Sequence, residues 1–154
     1  MRLFLVFLSI FFIFNLSGCT TYEKVMDSTI RKYHVTDDRI KLKLPPQMKL
    51  AQKEMMRTQM DLLARIAEAF SEDNLKEVER ISRERLGWSS IEEKKWSSVA
   101  ELCGESDFFE FAMVVHRHAD ELASNARAGD VSKALKSFAG LIENCNACHK
   151  RFRH

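Results

Sequence analysis

Residues 130–153 read DVSKALKSFAGLIENCNACHKRFR. Asp130 is of the N-cap type: its carboxylate can accept from the free N–H groups of a first helical turn. From there apolar side chains recur at helical spacing. Val131, Leu135, Phe138, Leu141/Ile142, Cys145, Cys148/His149 and Phe152 are predicted to share one face. The stretch therefore reads as one long helix that carries its chemically distinctive residues on its apolar side.

Working back along the chain, Gly129 punctuates a preceding helix that starts near Asp107. Asp107 and Glu110 have the spacing of a capping box, and Phe108, Phe111/Ala112, Val115, Ala119, Leu122 and Ala126 form its stripe. Before it, residues 88–105 hold Trp88, Trp96 and Cys103, with a short helix expected around Ile91–Leu102. A helix with Leu75, Val78 and Ile81 inward is expected to end at Gly87, and Ser71 to Asn74 form a turn with capping residues. The first helix runs from Pro46 to Phe70. Met48, Met55, Leu62, Ile66 and Ala69 form its stripe, widened by Met56, Met60, Leu63, Ala67 and Phe70. Short connections make successive helices antiparallel neighbours. The fold class is all-α, an up-down-up-down four-helix bundle with the Cys145–His149 motif on its C-terminal helix.

Composition agrees. The 154 residues allow one domain with a tail, 45% are hydrophobic, and only 5 Gly and 2 Pro are available for turns. Formal net charge is +2, without the clustered basic excess of a nucleic-acid binder, so no nucleic-acid partner is expected.

The chain begins with Met1-Arg2 and an apolar run, Leu3 to Leu16, that has the length of a signal-peptide core and is short for a membrane span. It ends in Leu16-Ser17-Gly18-Cys19, which resembles the bacterial lipobox. That resemblance implies removal of residues 1–18, lipidation of Cys19 and a membrane anchor in the periplasm, with Thr20 favouring the outer membrane. An ordinary secretory signal is the alternative. Residues 19–45 read as lipidated cysteine and tether, and residues 46–154 as the bundle. Within the tether, Arg39 to Leu44 alternates with period two and is expected to lie extended along the domain.

Cys145-Asn146-Ala147-Cys148-His149 is a Cys-x-x-Cys-His motif. Two thiols at this spacing can add across the two vinyl groups of haem, and the adjacent imidazole can then reach the iron. On a helix all three side chains point one way. A plain disulfide, a redox dithiol and half a zinc site are the competing readings. The dithiol wants a βαβ context, and His116 and His118 lack the nearby Cys pair that zinc would need. Covalent haem in an exported chain is the reading that fits best.

Taken with the bundle pattern, Cys145, Cys148, His149, Phe152 and Arg153 at the end of the last helix resemble the cytochrome c-prime family and its low-spin relatives over residues 46–154. The resemblance implies one covalent haem c held by Cys145 and Cys148, His149 as proximal iron ligand, and Phe152 and Arg153 near the haem. A first-helix residue would then face the other side of the iron. Met56, followed by Arg57 as in the low-spin members, is the expected distal ligand; Met60, one turn on, is the runner-up, and core filling is the plainer role for both. His116 or His118 would instead give a bis-His iron. Cys103 is left over as a small buried hydrophobe. Two functions follow. A Met/His iron suits an electron carrier, not an enzyme, that meets redox partner proteins of the envelope. A five-coordinate iron suits binding of small gases such as NO or CO. The resemblance also admits a homodimer through the first two helices.

Overall fold

The computed structural model describes residues 37–153, so the signal segment, Cys19 and most of the tether lie outside the described residues. Helix α1 spans Pro46–Ser71 and α2 Leu75–Ile81, continued by a π-helical turn, Ser82–Leu86. Helix α3 spans Ser90–Cys103, α4 Ser106–Arg127 and α5 Val131–Arg151. Strand β1 is Ile40–Lys41 and β2 is Phe152–Arg153. The protein is an all-α bundle, and the short helix expected around Ile91–Leu102 is present as α3.

Local chemistry accounts for most of the boundaries. Pro45 and Pro46 open α1, where a missing N–H costs nothing. The Asn74 side chain accepts from Glu77 N–H at 3.1 Å, and Asp130 from Lys133 N–H at 3.0 Å. Gly129, at φ +74°, takes the left-handed conformation that ends α4. The α4 start differs from the expected capping box. Glu105 is the N-cap, without a side-chain cap, and Asp107 instead pairs with Arg151 at the far end of α5. Gly87 ends α2 for a reason other than backbone handedness. It is extended (φ −65°), and a Cβ there would sit 2.6 Å from both the Arg83 carbonyl oxygen and Asp120 Oδ1.

The tightest packing is between α4 and α5, and the expected face of α5 is corrected there. Ala134, Ser137 and Leu141 are the buried residues, whereas Val131, Leu135 and Ile142 are 44–46% exposed. Small side chains on both sides (Ala119, Ala123 and Ala126 on α4) let the two helices approach closely, and this gain outweighs burial of the larger side chains. Likewise Met60 and Ala67 of α1 are exposed while Leu62, Leu63, Ile66 and Ala69 are buried.

Two apolar clusters result. The first joins Leu62, Leu63, Ile66, Val78, Ile81, Leu122 and Leu141. The second joins Leu42, Leu44, Trp96, Cys103, Phe108 and Phe152. The second draws on both ends of the described chain. The segment from Arg39 to Leu44 is extended as its alternation predicts, with Leu42 and Leu44 inward and Lys41 and Lys43 exposed. It pairs in parallel with β2, Ile40 opposite Phe152 and Lys41 opposite Arg153, and Leu42 N–H donates to the Arg153 oxygen at 2.8 Å. The packed unit thus includes Arg39 to Leu44, the residues that the sequence reading puts at the end of the tether. Burying Leu42, Leu44 and Phe152 contributes about 1.5–3 kcal/mol each.

Candidate haem site

Between the two clusters lies a cleft with about 610 Å³ of empty space, its mouth included. Helix α1 packs closely on α2 rather than on α4 or α5, and the cleft occupies the gap. Cys145, Cys148 and His149 line it from α5. Cys145 packs against the first apolar cluster and Cys148 against the second, so the two thiols join the two halves of the core. From α1 come Met56, Gln59, Met60 and Leu63, and from α4 Phe108, Phe111, Ala112 and Val115. The helical spacing thus brings the expected thiols, imidazole and both candidate methionines to one apolar cleft.

The two methionines differ. Met56 is half-buried against the second cluster, whereas Met60 is 61% exposed. Arg57, next to Met56, points outward and pairs with Glu54 at 3.0 Å. Phe152 and Arg153 stand behind the cleft rather than in its lining. Phe152 is buried edge-on against Phe108 (5.3 Å between centroids) and Phe111 (5.8 Å), both of which line it. Arg153 Nε donates to the Arg39 oxygen at 3.3 Å.

Two lining residues, Trp96 and His116, were not expected from the sequence as parts of one wall. The His116 ring is fully engaged. Its Nδ1 lies 2.6 Å from the Leu86 oxygen, and its Nε2 accepts from Trp96 Nε1–H at 3.0 Å, a donor shared with Glu92. Burial pushes its pKa below the usual histidine value, against the opposing pull of the Leu86 carbonyl and Glu92. A neutral ring whose two nitrogens are already bonded fits the role of a core histidine. His118 lies against Gly140 and 3.2 Å from Glu121, away from the cleft lining. Cys103 is buried beside the Ala100 oxygen as a small core residue.

The thiols themselves discriminate between readings. Burial raises the pKa of both, and Cys148, with Cys145 beside it, is pushed up to about 11. Redox dithiols work through a lowered thiol pKa, so this environment is the wrong one for that chemistry. Among the described residues, no group of three or more His, Cys, Asp or Glu is gathered as a metal site of the zinc type. Two thiols and an imidazole on one helix, facing an apolar cleft with thioether sulfurs on another helix, fit a covalently held haem.

Residues 91–153 match the family model for Cytochrome C'. Over that stretch the chain is similar to cytochrome c-prime. The match runs from α3 through β2 and includes the whole Cys145–His149 motif, while α1 and α2 lie outside it. No curated protein and no solved structure matches the chain. The cytochrome c-prime family implies a covalently bound haem c, the same group that the donor set of this cleft fits.

Proposed function

We propose that the protein is a monohaem c-type cytochrome that carries electrons in the bacterial cell envelope. Cys145 and Cys148 hold the haem by thioethers, His149 is the proximal iron ligand and Met56 the distal one. When bound, the haem supplies an iron that gains and loses one electron at a time. The observation that carries the reading is that Met56 and the Cys145–His149 motif line one apolar cleft. The half-burial of Met56 favours it over the exposed Met60, because holding a ligand in one place requires that its rotamers be restricted by packing. Thioether sulfur is a soft ligand that favours ferrous iron and raises the reduction potential. The apolar walls limit water around the site and so work in the same direction.

The remaining parts of the reading rest on the sequence. Signal removal and lipidation at Cys19 tether the domain to a membrane facing the periplasm, the outer membrane being favoured by Thr20. Its partners are redox proteins met in brief encounters, and it turns over no substrate of its own. A homodimer is compatible with this role. The runner-up is a five-coordinate haem that binds NO or CO. The wall formed by Phe108, Phe111, Ala112 and Val115 favours it, since such a surface would accept a small apolar gas beside the iron.

The test is expression of the exported chain in a host with haem c maturation, followed by mass measurement and ferric near-infrared absorption. The reading predicts one added haem and a sulfur-to-iron band that is lost in Met56→Ala and kept in Met60→Ala. A haem-bearing protein without that band would transfer the assignment to gas binding.

A further inference from the structure

The Arg39–Leu44 strap is joined to the haem motif from a separation of 110 residues. Arg39 Nη1 donates to the main-chain oxygen of His149 at 3.2 Å. That oxygen is among the last four carbonyls of α5, which have no donor within the helix, and a cation at a helix C-terminus also complements the helix dipole. The neighbouring Cys148 oxygen receives the Phe152 N–H, and β2 then pairs directly with β1. The strap therefore contacts the surroundings of the site by two routes. One is polar and reaches the backbone of His149 itself. The other is apolar: Leu42 and Leu44 share a cluster with Phe152, which stands edge-on against the cleft-lining Phe108 and Phe111.

The first apolar cluster contains no strap residue. What the strap adds is restraint at the last turn of α5, where helices otherwise fray. We propose that the strap is a positioning device for the proximal ligand: by holding the His149 carbonyl and the Phe152 ring, it sets the orientation of the His149 imidazole. The inference rests on His149 being the iron ligand. Arg39 is a positioning residue, since it acts through His149 and does not line the cleft.

The test compares the full-length haem-loaded protein with its Arg39→Ala and Arg39→Lys variants, and with Leu42→Ala, which weakens the apolar route alone. Two quantities are read: amide hydrogen exchange over Cys145–Arg153, and the g-values of ferric iron by electron paramagnetic resonance. Arg39→Ala is expected to speed exchange at least threefold in this segment and to shift or broaden the g-values. Arg39→Lys, which keeps a cationic donor, is expected to recover part of both, and Leu42→Ala to move both in the same direction as Arg39→Ala. Faster exchange with unchanged g-values in both alanine variants would reduce the strap to a structural clip and overturn the proposal. Unchanged exchange and g-values would overturn it as well. An unaltered protein that shows no haem signal would overturn the ligand assignment along with it, an outcome distinct from a failure confined to the variants.

Discussion

His116 Nδ1 donates to the main-chain oxygen of Leu86 at 2.6 Å, which ties the middle of α4 to the π-helical end of α2. A carbonyl can only accept, so the proton is on Nδ1, and Nε2 is left to accept from Trp96. The neutral ring joins three elements in the wall of the cleft.

A pH dependence follows. Burial lowers the folded-state pKa of His116, so below about 6.5 the unfolded chain binds a proton that the folded chain refuses. The stability that depends on neutral His116 is complete above pH 6.5 and is lost as the pH falls from there toward the folded-state value. His116→Gln is expected to flatten this slope, and to cost about 1–3 kcal/mol at pH 7.5 if one of the two partners is left unsatisfied. Urea unfolding at pH 5 and pH 7.5 checks both effects. An unchanged slope in the variant would contradict them.

Two glycines make a contrasting pair. In Gly87→Ala the new methyl meets a backbone carbonyl and the Asp120 carboxylate that accepts from Trp88 N–H at 3.1 Å. Neither can be avoided by turning a flexible side chain, and the expected loss is about 1–3 kcal/mol. In Gly140→Ala the new methyl comes within 3.1 Å of the His118 ring, which is part-exposed and able to move. The expected result is no net loss, because alanine adds about 0.8–1 kcal/mol of helix propensity. Thermal melts of the two variants decide the matter, and equal losses would refute it.

Cys145 and Cys148 are expected to be redundant for keeping haem and jointly indispensable. Each single serine variant retains the haem through one thioether after acid–acetone extraction, with lower yield of mature protein. The double variant loses all colour to the extract. Haem retained covalently by the double variant would place the attachment elsewhere.

The sequence is most legible where the signal is local. The caps at Asn74 and Asp130, the stop at Gly129 and the arrangement of Cys145, Cys148 and His149 each depend on residues within one turn of each other. It misleads where a distant partner intervenes. Asp107 has the spacing of a cap yet is taken by Arg151, 44 positions away. The stripe through Val131, Leu135 and Ile142 is more apolar than Ala134 and Ser137, but hydropathy does not register how closely two backbones approach. Nor does periodicity say where a strand lands. The alternation of Arg39 to Leu44 predicts an extended strap, but its pairing with Phe152 and Arg153 is a long-range event with no local trace. Trp96 is similarly hidden, since it belongs to no motif, and the sequence offers His116 as an alternative iron ligand with no sign of its hydrogen bonds to Trp96 and Leu86.

Iron ligation by Met56 together with His149 is the proposal on which electron transfer depends. The most direct measurement is the absorption spectrum of the ferrous holoprotein with and without carbon monoxide. Ligation by Met56 predicts narrow low-spin bands that carbon monoxide leaves unchanged, and bands that become responsive to it in Met56→Ala. Broad high-spin bands that shift at once when the gas is added to the unaltered protein would contradict it.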